Sequence, residues 1–310
     1  MLQPATQWAL PLETTSIRCD TASHPISKEA IMRSYRYHLV NVFAEQRFAG
    51  NQLAVFEDGS GLSDEDMQAI AQQLNLSETT FLLPSDQATA AVRILTPDGE
   101  LPFAGHPTLG TAHIVRHLHQ TGDQVTLAMR AGVIPVQACG DVWTLQARAP
   151  SWRTVPATPA ELAAAFNLAA SDFDAPAMFV NAGVEQTIVP LTSKQAVFAA
   201  KPNYALMQNH TRNQVGWTNA LLWHRDGDIV TARFFFDVQG MAREDPGTGS
   251  ACANLGGWLL ANGVKGPLRL TVEQGHMIHR INHLYLTLDD HDQIHVGGRV
   301  VYIGDGTICL

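Results

Sequence analysis

The chain has 310 residues, enough for two compact domains. Apolar residues make up 45% and charged residues 16%, the balance of a globular protein rather than a disordered one. A net charge of -9, with no run of Lys or Arg to override it locally, excludes nucleic acid as a partner, because binding a phosphate backbone needs a basic patch.

Residues 1–31 contain Pro, Ser and Thr in no clear pattern and lack the basic start and apolar stretch of a secretory signal. Met32 precedes the first strand-like segment and reads as a natural start, making residues 1–32 a disordered extension. A strand is predicted over 35–43, a turn at Ala49-Gly50-Asn51 and a returning strand over 53–56, so a hairpin opens the fold. Ser63 caps a helix whose first turn is acidic and whose apolar face is Met67, Ile70, Ala71 and Leu74. Strands follow over 79–83 and 91–96, then a helix from about 108 to 119 after Gly105-His106-Pro107. Two short strands, 124–129 and 133–137, lead to a linker marked by Pro150, Pro156 and Pro159.

Thr158-Pro159-Ala160-Glu161 is a capping box with Pro at the first helical position. Strands are expected over 177–181 and 186–191, a helix after Ser193 that breaks at Pro202, and strands near 221–223 and 229–236. Asp245-Pro246-Gly247-Thr248-Gly249-Ser250 opens an apolar helix to about Asn262. From Leu268 the tail alternates as strand, with turns at Asp289-Asp290 and Gly297-Gly298. The domains expected are 33–150 and 151–310, with the last strand free to return to the first domain.

The segment from Gly105 to Ala112 echoes that from Glu244 to Ala251 without a gap. Pro107 falls over Pro246, Gly110 over Gly249, Thr111 over Ser250, and His106 over Asp245, each titratable residue standing just before its helix. A Gly-rich turn at a helix start presents unpaired N–H groups and partial positive charge. Two such ends across a cleft would hold a carboxylate and an enolate-like oxygen; as ordinary caps they would hold nothing. Glu78 lies between an amphipathic helix and a strand, where burial would raise its pKa into the range useful for both acid and base work. On pattern alone the plainer reading is a surface glutamate at a turn, or one accepting helix-end hydrogen bonds.

The four cysteines, Cys19, Cys139, Cys252 and Cys309, form no Cys-x-x-Cys pair, which points to a reducing, cytoplasmic setting. Cys252 sits early in the last helix, where the dipole would activate it and burial would silence it. No apolar run reaches the roughly 18–20 residues of a membrane span. His276, His279 and His283 have helical ligand spacing, but the strand alternation around them would scatter them over two faces, so no metal site is expected. Gly247-Thr248-Gly249 only begins a dinucleotide fingerprint, and neither a phosphate loop nor a Gly-x-Ser-x-Gly elbow occurs.

Taken in order, Asn41-Val42-Phe43, Phe48-Ala49-Gly50-Asn51, Leu76-Ser77-Glu78-Thr79-Thr80-Phe81, Pro102-Phe103-Ala104-Gly105-His106-Pro107-Thr108 and Glu244-Asp245-Pro246-Gly247-Thr248-Gly249-Ser250 resemble the phenazine-biosynthesis isomerase (PhzF-like) family over nearly all of 33–305. The resemblance implies an α+β chain with the diaminopimelate epimerase-like fold: two similar α/β domains, each a mixed curled sheet around a central helix, with a cleft between them. It implies that Glu78 takes a proton from a substrate carbon and returns it elsewhere, helped by His106 and Asp245. Ser77, Gly105, Gly249 and Ser250 would then bind a small carboxylate substrate. It further implies no metal, no organic cofactor and a homodimer.

Epimerases of this fold use two cysteines, whose places here hold Ala104 and Pro246, so a two-thiol mechanism would have to recruit Cys252. Gln52 stands where the family commonly has Pro, Gly247 where it often has Ala, and His276 to Asn282 replace a Gly-Arg-Pro-Ser ending. The expected function is therefore a proton-shifting isomerase. The alternatives are a racemase or epimerase with non-cysteine groups, or a non-catalytic binding protein of the same fold.

Overall fold

The computed structural model describes residues 33–310, of which Ser34–Cys309 make one compact unit. The expected extension over 1–32, and Cys19 within it, lie outside the described residues. The first half of the chain runs β1 (Ser34–Val42), β2 (Asn51–Phe56), α1 (Asp64–Leu74), β3 (Glu78–Leu83), β4 (Ala90–Thr96), β5 (Gly99–Leu101), α2 (Gly105–His119), β6 (Gln124–Met129), β7 (Gly132–Cys139) and β8 (Val142–Gln146). The second half runs β9 (Ser151–Thr154), α3 (Pro159–Phe166), β10 (Met178–Asn181), β11 (Glu185–Pro190), α4 (Lys194–Ala199), α5 (Tyr204–His210), β12 (Asn219–Asp226), β13 (Ile229–Val238), β14 (Met241–Asp245), α6 (Gly249–Ala261), β15 (Leu268–Gln274), β16 (Asn282–Leu288) and β17 (Ile294–Cys309).

Local chemistry fixes the helix ends. Ser63 accepts from the Asp66 N–H while the Asp66 carboxylate accepts from the Ser63 N–H, and Asn75 closes α1 at a left-handed φ of 51°. Thr158 and Glu161 repeat the box for α3, with Pro159 at its start.

In the first half, pairing runs β1 to β2, β3, β4, β6, β7, β8 and β17, and β17 returns to β1, closing a mixed sheet around α2. In the second half β9, β10, β11, β12, β13, β15, β16 and β17 follow one another and curl around α6. Strand β17 serves both: Ile294–Gly297 pair with β16, and Val300–Cys309 pair with β1. One apolar core is continuous across the halves, from Leu53, Leu109 and Trp143 to Leu255, Leu284 and Val230. Helix α1 buries a separate cluster with Phe56 and Phe81, and α3, α4 and α5 cover another around Phe166 and Phe235.

Several expectations need correction. The Pro-rich stretch taken as linker contains β9, and β8 and β14 were not expected at all. Gly297 and Gly298 make no turn; they lie inside β17 because the backbone there passes too close for side chains. A Cβ on Gly297 would meet the Trp143 carbonyl oxygen at 2.6 Å, and one on Gly298 would overlap Phe43. Helix α2 begins at Gly105, so His106 is inside its first turn rather than before it. Since α6 opens at Gly249, the counterpart of Gly249 is Gly105, not Gly110 as the gapless echo suggested.

Candidate active site

Glu78 is the first residue of β3, held in parallel register opposite Leu53 of β2. Its side chain is only 15% exposed, and Oε2 is buried without a hydrogen-bond partner. His106 Nε2 stands 3.3 Å from that oxygen and 3.3 Å from the Gln52 carbonyl. A carbonyl can only accept, so Nε2 carries the hydrogen and Nδ1 a lone pair. Burial pushes His106 down to about 3, so it is a neutral imidazole and the close approach to Glu78 is not an ion pair. Burial, followed by the charge of Asp245, pushes Glu78 up to about 8. The carboxyl therefore holds its proton at neutral pH and can also give it up.

Asp245 ends β14. Burial raises it to about 6, against the opposing pull of the Thr248 hydroxyl, the Asn51 amide and the Gly247 N–H, each of which donates to it. Its neighbour Glu244 forms a bidentate pair with buried Arg233, whose Nη1 also donates to the carbonyls of Val197, Phe198 and Ala200. Asn51, in β2, bridges the halves: Nδ2 donates to the Gly247 carbonyl at 3.1 Å and to Asp245 Oδ1 at 3.4 Å, while Oδ1 accepts from Ser77 Oγ at 3.5 Å. Gln274 of β15 clamps the turn from behind. Its Nε2 donates to the Asp245 carbonyl (2.7 Å) and to Thr248 Oγ1 (3.0 Å), and its Oε1 accepts from the Thr248 N–H (3.2 Å).

The two helix ends meet at this point. A Cβ on Gly105 would lie 3.5 Å from Gly249 Cα and 3.9 Å from Ser250 N. Neither Ala104 nor Thr248 caps its helix through a side chain, so both first turns keep N–H groups for an anion. Ser250 Oγ accepts from Gln186 Nε2 at 3.0 Å. Gly247 is filled in by Asn282: a Cβ there would lie 2.5 Å from Asn282 Cγ.

The structure thus brings Glu78, His106, Asp245, Ser77, Gly105, Gly249 and Ser250 into one cluster where the two helix ends meet. Asn51, Gln274 and Asn282 were not among the expected site residues. Asn51 had a signal, the Gly50-Asn51 turn, whereas Gln274 and Asn282 had none. Cys252 is buried and its thiol is pushed up by that burial, so it is not poised to exchange a proton. His276 and His283 both approach Glu273, at 3.3 and 3.8 Å, while His279 is exposed at a left-handed φ of 55°. Among the described residues no group of three His, Cys, Asp or Glu is placed to hold a metal ion.

Two mixed curled sheets, each around a helix whose opening turn faces the other, make the diaminopimelate epimerase-like fold, and the relatives of this chain mark it as an isomerase of that class. Residues 40–306 match the phenazine biosynthesis-like protein family, and the chain belongs to it. It is 38% identical over 291 residues to an uncharacterized isomerase of Pasteurella multocida, covering 90% of this chain and 95% of that one. It is 32% identical to the trans-2,3-dihydro-3-hydroxyanthranilate isomerase of Pseudomonas chlororaphis, covering 89% of this chain and all of that one. A PhzF-family structure from Bacillus anthracis superposes with a TM-score of 0.79 at 25% identity over 90% of this chain and 100% of that one. A hydroxyproline epimerase from Agrobacterium vitis shares the fold alone, at TM-score 0.61 and 14% identity over 90% of this chain and 93% of that one.

Proposed function

We propose that this isomerase shifts a proton, and with it a double bond, on a small carboxylic acid, using no metal or organic cofactor, with Glu78 as the proton carrier. The observation that carries the reading is the Glu78 carboxyl: nearly enclosed, its Oε2 unpartnered, and pushed up to about 8. Such a group costs the fold free energy unless a substrate makes use of it.

In this reading the substrate carboxylate lies on the N–H groups of the two helix ends and on Ser77 and Ser250. Ionised Glu78 takes a proton from a carbon held nearby and returns it from Oε2 to a second carbon. His106, neutral, holds its one N–H between the Gln52 carbonyl and Glu78 Oε2, and so steadies the carboxylate when Glu78 ionises. Asp245 keeps Glu78 basic through its own charge and, with Asn51, orients the polar groups of the substrate. A cyclic dihydro acid such as the one named for the Pseudomonas relatives suits this chemistry. The halves divide near residues 150 and 151 and flank the cleft. The protein works as a homodimer in the cytoplasm, on the strength of the family resemblance and of free Cys139, Cys252 and Cys309.

The test is a panel of unsaturated and α-functionalised acids, trans-2,3-dihydro-3-hydroxyanthranilate among them, incubated in heavy water and read by mass spectrometry. One acid should isomerise with exchange, and Glu78→Gln should lose at least about 100-fold in turnover while still binding it. Full turnover in that variant defeats the proposal, and exchange with inversion but no double-bond shift would establish an epimerase instead.

A further inference from the structure

A relay of amides runs from the interior of the second half to the cleft, and each link has a fixed direction. Asn254 of α6 is wholly buried, and its Oδ1 accepts from the Ala182 N–H at 2.7 Å. A backbone N–H only donates, so the identity of that side-chain oxygen follows without ambiguity. The Asn254 amide nitrogen then donates both hydrogens, to the Val184 carbonyl and to Gln186 Oε1, each at 2.8 Å. This in turn fixes Gln186, itself buried on β11, with Nε2 aimed at Ser250 Oγ. The serine oxygen must accept. Its own hydrogen is then left over, since among the described residues the Ser250 side chain makes this one hydrogen bond.

We propose that Gln186 and Asn254 are positioning residues that set the polarity of Ser250, so that its hydroxyl presents a donor to the substrate carboxylate. The inference rests on the isomerase reading above and adds the origin of its preference for a carboxylate. A serine facing an acceptor would spend its hydrogen on the protein, whereas one whose oxygen accepts from Gln186 keeps its hydrogen for a carboxylate. The relay contains no titratable group and is anchored on backbone at both the Ala182 N–H and the Val184 carbonyl, so its direction does not change with pH.

Two variants of the full chain test it, with benzoate and benzamide as probes by calorimetry. Gln186→Glu is nearly isosteric but can only accept, so Ser250 turns its hydrogen inward and offers lone pairs to the cleft. Gln186→Met removes the donor without adding charge, separating polarity from simple repulsion. Wild type should prefer benzoate. One charge-assisted hydrogen bond is worth roughly 10- to 100-fold in affinity, so Gln186→Glu should lower the benzoate-to-benzamide ratio by about that factor. Gln186→Met should lower it by about threefold or more.

Both probes weakened alike in Gln186→Met would show a merely structural role, and an unchanged ratio would likewise overturn the inference. Wild type binding neither probe would instead remove the carboxylate site, and the inference with it. If Gln186→Glu does not fold, the Gln186→Met ratio decides alone.

Discussion

Gly247 and Asn282 offer a test of how tightly the Asp245 turn is held. In Gly247→Ala the new methyl would lie 2.5 Å from Asn282 Cγ and 3.0 Å from its Cβ, and closer still to Oδ1. Asn282 is fully buried and pinned by its Nδ2, which donates to the Arg280 carbonyl at 2.9 Å, so it cannot swing into solvent. Relieving the overlap means moving either Asn282 or the turn, an overpacking cost of about 1–3 kcal/mol. Losing the Arg280 bond adds about 1 kcal/mol. Against this, replacing Gly by Ala gains about 0.4–1 kcal/mol from the unfolded chain, since Gly247 does not need positive φ. The net expectation is a loss of about 1–3 kcal/mol in urea unfolding.

Asn282→Ala alone should cost little, because it gives up one hydrogen bond but also removes an unpartnered buried Oδ1. In that background Gly247→Ala should become neutral or mildly stabilising, a coupling of about 1.5–3 kcal/mol. A stability change under 0.5 kcal/mol in the single variant, or the same loss in both backgrounds, would refute the steric argument.

Other consequences follow from the carboxyl pair. Glu78 is raised in the native state, so its contribution to stability is complete below 4.5 and is lost as pH climbs through about 8. Relative to Glu78→Gln, the wild type should therefore lose roughly 5 kcal/mol of unfolding free energy across that window, measured by urea titration at each pH. Parallel curves for the two proteins would contradict it. In the pH dependence of kcat/KM, activity should rise to a plateau above about 8 as Glu78 ionises. Asp245→Asn should move that midpoint lower, because the Asp245 charge is the second cause of the raised value. An upward or absent shift would show that Asp245 acts otherwise.

What the amino-acid order reveals here is mostly what short-range chemistry controls. Ser63 with Asp66 and Thr158 with Glu161 mark helix starts because both partners lie within one turn. Glu78 was singled out through the family resemblance, because on pattern alone an acid between a helix and a strand can as well sit at the surface. The missing parts are long-range. Gln274 reaches Asp245 and Thr248 only because β15 pairs with β13, and Arg280 reaches Asn41 and Gly50 because the tail runs back beside the first hairpin. The glycine pair at 297 and 298 misled because turns and close approaches both select glycine, and only the neighbours Trp143, Thr144 and Phe43 distinguish them. Likewise Pro150 and Pro156 suggested a linker, yet the residues between them supply an edge strand to β10. The departures at Gly247 and in the tail, separate in sequence, are one feature in space, since Asn282 occupies the room beside Gly247.

The most direct test is a carbon-13 titration of the Glu78 carboxyl in the unliganded protein, assigned by its disappearance in Glu78→Gln. A midpoint near 8, well above an ordinary glutamate, is the expected result. Titration near 4.5 would mean that the group is solvated, and the proton-carrier role would fall with it.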